Sequence, residues 1–273
     1  MTVNSYRYLI NPDIDVNGYM TPQYIKLLRG YLQGIELTGK TAVLYVGGAL
    51  LSPSEARNTD GSKDLRRDAQ NSTMAVKELA AYSMHKWISL LCNNGRVEYA
   101  NINGNTCASS LYSMYEAERL LDNGFDDVVI IAEEKTSYNT LRVFEESMID
   151  LKVGEGVAVM HLTKGGDDIH SCKWAYEYNR NPFGVTESGY NKVWQKCDAV
   201  KPHGTGTDNN ESAEQLVISD VRQVRYKEEI GHCQGASGLL EICMLLDDDS
   251  VSGSVLCMAA GMGGFYGSCI VEK

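Results

Sequence analysis

Unbroken runs of apolar residues mark the buried strands of this chain. Thr41 to Val46 (TAVLYV) is a β-branched and aliphatic run that ends at a pair of glycines, and Val128 to Ala132 (VVIIA) is a second such run. Gly154 to Leu162, Ser254 to Met258 and Gly267 to Val271 are predicted strands of similar character. Strands that are buried on both faces lose the alternation of polar and apolar residues. These segments therefore predict a sheet that is covered on both sides.

Segments with helical spacing of apolar residues alternate with these strands. They are Met74 to Leu91, a helix that begins near Cys107, Asn210 to Val221, and Gly235 to Leu246. A short strand, Val97 to Ile102, runs through a sharp turn into the helix that begins near Cys107. Strands that alternate with helices predict a layered α/β fold with a mainly parallel central sheet. We find no convincing repeat in the sequence itself.

Composition and charge narrow the range of functions. The chain has 273 residues, of which 43% are hydrophobic, and a formal net charge of −11. It can bury a large core, while its charge disfavours nucleic acid and anionic membranes as partners. No apolar stretch is long enough to predict a membrane span, and the N-terminus lacks the pattern of a secretory signal. Eight cysteines are spread singly with no CxxC pair, which predicts reduced thiols and a cytoplasmic location.

Three segments carry candidate chemistry. Cys107 lies at the predicted N-terminus of a helix, where unpaired N–H groups and the helix dipole would stabilise a thiolate. His203 opens the segment HGTGT, in which Thr205 and Thr207 can hydrogen-bond an extended amide-containing ligand. His232 immediately precedes another predicted helix. Taken singly, each segment has an ordinary structural explanation: a buried cysteine, a glycine turn with a surface histidine, or a structural histidine.

Taken together and in this order, the segments resemble the motifs of the β-ketoacyl synthases within the thiolase-like superfamily. Thr106 to Ser110 is similar to the nucleophile motif of that family. The HGTGT motif stands intact at His203 to Thr207, and KxxxGHxxGAxG stands intact from Lys227 to Gly238. Gly261 to Gly264 is similar to the glycine-rich loop near the C-terminus of the family. The resemblance covers roughly residues 97 to 273.

The resemblance implies a thiolase-like layered fold, α-β-α-β-α, built from two fused halves with mainly parallel central sheets. We expect one compact unit over residues 1–273, with approximate halves 1–150, which holds the nucleophile, and 151–273, which holds the two histidines. The chain resembles a shortened member of the family. The missing length falls before Thr41 and between Lys135 and Gly154, in regions that help to shape the acyl pocket and the dimer surface.

The activity that the resemblance implies is acyl transfer by decarboxylative Claisen condensation. Cys107 would take an acyl group from a thioester, and that group would be condensed with a decarboxylated malonyl thioester. His203 and His232 would stabilise the resulting carbanion or enolate as neutral hydrogen-bond donors. The backbone N–H groups of Cys107 and Met262 could form an oxyanion hole.

The resemblance also implies supporting residues around this set. Lys227 is suited to orienting His232 or Glu214 electrostatically, and not to acting as a nucleophile. The remaining substrate-binding positions that the resemblance implies are Thr205, Thr207, Gly263 and Gly264.

The implied partners are thioesters of acyl carrier protein or coenzyme A, in fatty acid or polyketide biosynthesis, with no cofactor and no metal. We expect a homodimer, and a heterodimer with another ketosynthase-like chain is the alternative. A catalytically inactive ketosynthase-like subunit, similar to a chain length factor or an acyl-binding partner, is a second hypothesis for function. A zinc site is a third, disfavoured because no close ligand pair has zinc-site spacing; its ligands would be Cys107, His203, His232 and Cys233.

Overall fold

The computed structural model describes most of the chain. The described residues are 1–11, 22–47, 84–91, 96–136, 141, 144–145 and 150–273. The helix predicted over Met74 to Leu91 is confirmed over residues 84–91, and its earlier part lies outside the described residues.

The first half of the chain forms a five-stranded sheet. Its strands are β1 (Thr2–Asn11), β2 (Lys40–Gly47), β3 (Arg96–Ile102), β4 (Asp127–Glu134) and β5 (Glu155–Thr163). They lie in the order β1-β5-β4-β2-β3. Strand β2 is parallel to β3 and β4, whereas β5 is antiparallel to β4 and β1. Strands β2 and β4 are buried along almost their whole length, as their unbroken apolar runs predict.

The second half forms a sheet with the same connectivity. Its strands are β6 (Ile169–Tyr176), β7 (Ala199–Lys201), β8 (Arg222–Gln223), β9 (Ser254–Gly261) and β10 (Phe265–Glu272). They lie in the order β6-β10-β9-β7-β8, with β7 parallel to β8 and β9, and β10 antiparallel to β9 and β6. The two halves therefore repeat one topology, although their sequences show no convincing repeat.

Two details of the predicted architecture are wrong. Each sheet contains two parallel and two antiparallel pairings, so the sheets are mixed and not mainly parallel. The physical reason is clearest at β9 and β10, because the short turn after Gly261 returns the chain at once and forces antiparallel pairing. The division at residue 150 is also too early, because Glu155–Thr163 completes the first sheet and the second begins at Ile169.

Helices fill three layers around the two sheets. They are α1 (Pro22–Gly34), α2 (Ser109–Asp122), α3 (Glu187–Val193), α4 (Asp208–Ile218), α5 (Lys227–Ile230) and α6 (Ser237–Asp247). Helix α1 and residues 84–91 pack on the outer face of the first sheet, α2 and α6 lie between the sheets, and α3 and α4 cover the second sheet. The predicted α-β-α-β-α layering is confirmed.

The two central helices are buried for different reasons. Helix α6 (SGLLEICMLLD) is apolar on nearly all sides and buried over most of its length, as a helix between two sheets must be. Helix α2 is amphipathic, and its buried stripe is Leu111, Met114, Ala117 and Leu121. The buried side chains of both helices belong to the same core cluster as the inner faces of the two sheets. The central layer thus unites the two halves.

Each central helix begins with a strained turn. The three-residue 3-10 turn Thr106–Ala108 precedes α2, and the turn Gln234–Ala236 precedes α6. The first residue of each turn has a left-handed backbone, with φ of 50° at Thr106 and 42° at Gln234. A β-branched residue such as threonine rarely adopts this conformation, and strain of this kind is concentrated at functional sites. The two turns occupy equivalent places in the repeated topology.

The N-terminal ends of α2 and α6 approach each other closely. The hydroxyl of Ser110 donates a hydrogen bond to the carbonyl oxygen of Gly235 at 2.5 Å. A Cβ atom on Gly235 would lie 3.2 Å from the carbonyl oxygen of Thr106, and one on Gly238 would lie 2.9 Å from the Cβ of Ser110. The glycines in GASG are therefore needed for helix packing.

We predict opposite effects for two Gly-to-Ala substitutions in helices. Gly238→Ala introduces a methyl group 2.9 Å from the Cβ of Ser110, and it should lower the free energy of unfolding by about 1–3 kcal/mol. Gly30→Ala lies in α1 with open space around its Cβ position, and it should raise that free energy by roughly 0.5–1 kcal/mol. Urea denaturation followed by circular dichroism measures both. Equal effects of the two variants would contradict the close packing of α2 against α6.

Candidate active site

A cavity of about 570 Å³ lies where the turns before α2 and α6 meet the C-terminal end of β9. Cys107, His203 and His232 all line it, so the structure brings together the three residues predicted to react. Part of its wall is apolar and consists of Phe144, Leu151, Phe183, Val185, Ala260 and Met262. The cavity therefore offers both reactive groups and space for an apolar substrate segment.

Cys107 and His232 are in direct contact. The Sγ atom of Cys107 lies 3.0 Å from Nε2 of His232. The other ring nitrogen, Nδ1, lies 3.3 Å from the hydroxyl of Ser237. The backbone of His232 is fixed by a hydrogen bond from its N–H to the carbonyl of Lys152 at 2.7 Å and by one from Gly154 to its own carbonyl at 3.1 Å. This geometry allows proton transfer between the thiol and the imidazole.

Ser237 can support either tautomer of His232. A hydroxyl accepts a hydrogen bond as readily as it donates one. When Nδ1 carries the proton and donates to Ser237, Nε2 is free to accept the thiol proton of Cys107. When Ser237 donates to Nδ1, the proton is on Nε2, which can then donate to a substrate oxygen. The same imidazole can thus act as a base in one step and as a donor in another.

The resting thiol is protonated, contrary to the thiolate expected from its position at a helix N-terminus. Burial raises the pKa of Cys107 to about 12, and the charge of Lys227 only partly opposes this increase. The residue belongs to a 3-10 turn before the α-helix, and burial in the cleft outweighs the favourable field of the helix. Cys107 therefore depends on the adjacent base to become a nucleophile.

His203 lies across the cavity from this pair. It follows β7, and its ring centroid is 5.5 Å from that of His232, with the two ring planes 88° apart. Nδ1 of His203 is buried and has no hydrogen-bond partner among the described residues. Burial, followed by the charge of Lys227, lowers the pKa of both imidazoles well below the ordinary value. Both histidines are therefore neutral near pH 7.

Glu214 holds the backbone of the HGTGT segment. Its carboxylate, fully buried in α4, accepts hydrogen bonds from the N–H of His203 at 2.5 Å and from the N–H of Gly204 at 3.0 Å. The side chain of Asn210 donates a third, at 3.0 Å. These contacts place Glu214 behind His203 as a positioning residue, and they oppose the rise in its pKa that burial causes.

Lys227 affects the two histidines through a backbone hydrogen bond and through its positive charge. Its Nζ donates to the carbonyl oxygen of His203 at 2.6 Å and forms an ion pair with Glu241 at 2.7 Å. Its charge also lowers the pKa of His232. The side chain is thus placed to orient the site and is held away from direct reaction with a substrate.

The residues predicted to bind substrate divide into two groups. Thr205 and Thr207 line the cavity, and their hydroxyls lie 3.1 Å apart. Met262 also lines it. The oxyanion hole formed by the N–H groups of Cys107 and Met262 stays a prediction.

Gly263 and Gly264 lie farther along the turn between β9 and β10. Their N–H groups donate to the carbonyl oxygens of Pro182 and Gly261, at 2.8 and 3.3 Å. Both glycines have φ of 88°, and a Cβ on Gly264 would overlap the carbonyl oxygen of Glu177. Neither glycine is among the residues that line the cavity. Their contacts indicate a role in shaping the turn behind Met262.

Sequence reasoning missed a buried charge cluster next to this site. Lys201 and Glu241 are each 1% exposed, and they form an ion pair with each other. The signal in the sequence is a charged residue inside an apolar run, lysine after Ala199 and Val200 and glutamate inside LLEICMLL. Lysine and glutamate are almost never fully buried unless they are paired.

A metal centre and a membrane-spanning helix are both absent from the described part of the chain. No group of three or more histidine, cysteine, aspartate or glutamate residues there is arranged to hold a metal ion. Among the helices of that same part, none is long and apolar enough to cross a membrane.

Comparisons with known proteins place the fold. No family model matches the chain, and no curated protein matches its sequence. A β-ketoacyl synthase from Burkholderia phymatum STM815 is 17% identical, with a TM-score of 0.61 over 86% of this chain and 76% of that one. The ishigamide ketosynthase/chain length factor is 14% identical, with a TM-score of 0.64 over 87% and 76%.

A β-ketoacyl-[acyl carrier protein] synthase III from Thermus thermophilus is 12% identical, with a TM-score of 0.54 over 100% of this chain and 99% of that one. At these identities the likeness establishes the fold. The chain has the thiolase-like fold that ketosynthases and chain length factors share.

We predict that Cys107 reacts slowly with a neutral alkylating reagent at pH 7. Because burial raises its pKa to about 12, the alkylation rate should rise about tenfold per pH unit and reach no plateau below pH 10. Quenched-flow labelling followed by peptide mass spectrometry measures the rate, and free cysteine, which does reach a plateau near its own pKa, serves as the control. A plateau near neutral pH would instead reveal a preformed thiolate–imidazolium pair.

Proposed function

We propose that this chain is a decarboxylative condensing acyltransferase of the β-ketoacyl synthase type. The observation that carries the proposal is the 3.0 Å contact between Cys107 and His232, with a second neutral imidazole, His203, on the same cavity. A thiol beside a neutral base can accept an acyl group from a thioester. Two neutral imidazoles can then stabilise an enolate oxygen.

In the acylation step, Nε2 of His232 accepts the thiol proton as Sγ of Cys107 attacks the thioester carbonyl carbon. The C–S bond to the carrier then breaks, and the carrier thiolate takes the proton from His232. The negative oxygen of the tetrahedral intermediate requires donors, for which the N–H groups of Cys107 and Met262 are the candidates. The products are an acyl-enzyme thioester and a free carrier thiol.

In the condensation step, the malonyl thioester loses carbon dioxide, and the electron pair of the broken C–C bond forms an enolate. Nε2–H of His232 and the ring of His203 donate hydrogen bonds to the enolate oxygen. The α-carbon attacks the acyl carbonyl on Cys107, and the C–S bond breaks to release a β-ketoacyl thioester. The leaving thiolate of Cys107 takes the Nε2 proton of His232, and the imidazole regains one proton from solvent, which is the proton that the decarboxylative condensation consumes overall. The site then returns to its starting state.

The carrier of the acyl group is part of the same proposal. No lysine or arginine is among the described residues that line the cavity, whereas Asp150 and Asp208 are. Coenzyme A carries several phosphates that this wall would repel, whereas the arm of a carrier protein has one. This charge favours acyl carrier protein over coenzyme A. A dimer, formed with a second copy or with a related chain, stays part of the proposal.

A non-catalytic role is the alternative. The ishigamide neighbour is a ketosynthase/chain length factor, so a related subunit can have this fold. The presence of Cys107, His203 and His232 around one cavity favours the catalytic role. The two roles differ in whether the purified protein forms a covalent acyl adduct and turns it over.

We predict that intact-protein mass spectrometry after incubation with an acyl thioester will show a single added acyl group. Cys107→Ala should abolish the adduct, because the nucleophile is absent. Cys197→Ser is the matched control, because Cys197 is also a partly exposed free cysteine but does not line the cavity, and it should retain the adduct. Parallel incubations with acyl carrier protein and coenzyme A thioesters identify the preferred carrier. An adduct that persists in Cys107→Ala would exclude Cys107 as the nucleophile, and absence of an adduct in the wild type with both carriers would exclude covalent catalysis.

We predict that addition of malonyl thioester discharges the adduct and releases one carbon dioxide per β-ketoacyl product. His203→Ala should still form the adduct but condense it about 10²–10⁴-fold more slowly, because one enolate donor is lost. Liquid chromatography with mass spectrometry quantifies the product. An acylated wild-type protein that forms no product would support the non-catalytic role.

A further inference from the structure

A buried cluster of three charged residues lies directly behind the two histidines. Glu241, in α6, accepts from two lysines, with one carboxylate oxygen 2.7 Å from Nζ of Lys227 and the other bonded to Nζ of Lys201. Nζ of Lys201 also donates to the carbonyl oxygen of Met258 at 3.3 Å. All three side chains are at most 6% exposed. The cluster holds two ammonium groups and one carboxylate, so one positive charge remains.

The second lysine is not required to neutralise Glu241. Lys227 alone would form a neutral pair with that carboxylate, and burying a further ammonium group costs free energy in solvation. Lys201 lies on β7, two residues before His203, so a rigid strand fixes its ammonium group close to the site. Because Lys201 is not needed to neutralise Glu241, its buried charge indicates a role in the electrostatics of neighbouring groups.

We propose that Lys201 is a positioning residue for the two histidines: by sharing Glu241 with Lys227, it keeps a net positive charge behind His203 and His232 and adds to the effect of burial that keeps both imidazoles neutral. This inference rests on the proposed function, in which neutral imidazoles are the active form. The ion pair on Glu241 also fixes the carboxylate that orients Lys227 towards the carbonyl of His203.

The electrostatics agree with this geometry. Burial lowers the pKa of both imidazoles most, and Lys227 and Lys201 both lower it further. The charged or titratable groups facing the cluster and the histidines from the surrounding elements include Cys107, Glu134, Glu214, Lys227, Glu241 and Cys257, together with Asp150 and Asp208 on the cavity wall. Glu214, another buried carboxylate of this set, interacts with the charges of both lysines and is held by backbone N–H groups.

Removal of the Lys201 charge should change the pKa of both imidazoles in one definite direction. With less positive charge nearby, the protonated imidazoles become less unfavourable, so their pKa rises. The histidines then become protonated at a higher pH, and the reactive neutral form is lost as the pH falls through the raised pKa. The acidic limb of any reaction that requires neutral His232 moves to higher pH.

The test uses the full chain labelled with ¹⁵N-histidine, with imidazole titration followed by NMR. Lys201→Met removes the charge but retains an unbranched side chain, and it should raise the titration midpoint of His203 or His232 by about one pH unit or more. Lys201→Arg keeps the charge and should restore both midpoints. Lys135→Met is the matched control, because it removes another buried lysine paired with a carboxylate, Glu155, and it should leave the midpoints unchanged.

A double variant tests the charge balance separately from folding. Lys201→Met combined with Glu241→Gln leaves Lys227 as the single charge, so the net positive charge equals that of the wild type, and the midpoints should stay near the wild-type values. A raised midpoint in this double variant, or unchanged midpoints in folded Lys201→Met, would overturn the proposal. The titration requires no turnover. If the wild-type protein forms no acyl adduct, the proposed function is overturned. The titration result still decides the role of Lys201 in that case.

Discussion

Ser110 and Gly238 face each other where α2 and α6 meet between the two sheets, with no space for a side chain on the glycine. This contact fixes how far apart the turns before the two helices can lie. Cys107 is in one turn, and His232 immediately precedes the other, so the distance between sulfur and imidazole is a consequence of helix packing. The packing of the central helices therefore keeps the geometry of the site rigid.

Burial decides the electrostatic character of this site. The cleft disfavours the thiolate and the imidazolium alike, so the resting pair is neutral on both sides. Such a pair separates charge only while a substrate is attacked. A buried cluster of charged residues, Lys201, Glu241 and Lys227, lies behind this pair and acts on it through electrostatic interactions and a backbone hydrogen bond.

The sequence predicted the strands that are buried on both faces and the edge strand β3, but it missed the edge strands β1 and β6. Strands β2, β4, β5 and β9 have unbroken apolar runs. Strand β1 (TVNSYRYLIN) and strand β6 (IHSCKWAY) are sheet edges with mixed polar and aromatic residues, and they gave no comparable signal. Three of the four antiparallel pairings were missed because they depend on these edges or on a hairpin turn. The fourth joins β4 to β5, and the apolar runs of two strands do not reveal their relative direction.

The three reactive positions could be predicted because local motifs surround each of them. Their protonation could not, because it depends on burial by segments remote in sequence. The pairing of Lys201 with Glu241 joins β7 to α6 across 40 residues, and only the fold brings the two together. The N–H groups of Gly263 and Gly264 in the C-terminal turn donate to the carbonyl oxygens of Pro182 and Gly261, contacts that the sequence motif does not reveal.

The edge position of β1 has a consequence for the order of folding. Among the described strands, β1 pairs only with β5, and its register joins Thr2 to Thr163 and Asn11 to Glu155. During synthesis β1 therefore cannot form this pairing until residues 155–163 have emerged. Pairing across such a long loop is slow, because closure entropy is lost before contacts compensate for it. Completion of the first sheet is thus a late event, and an unpaired apolar strand edge is exposed until it occurs.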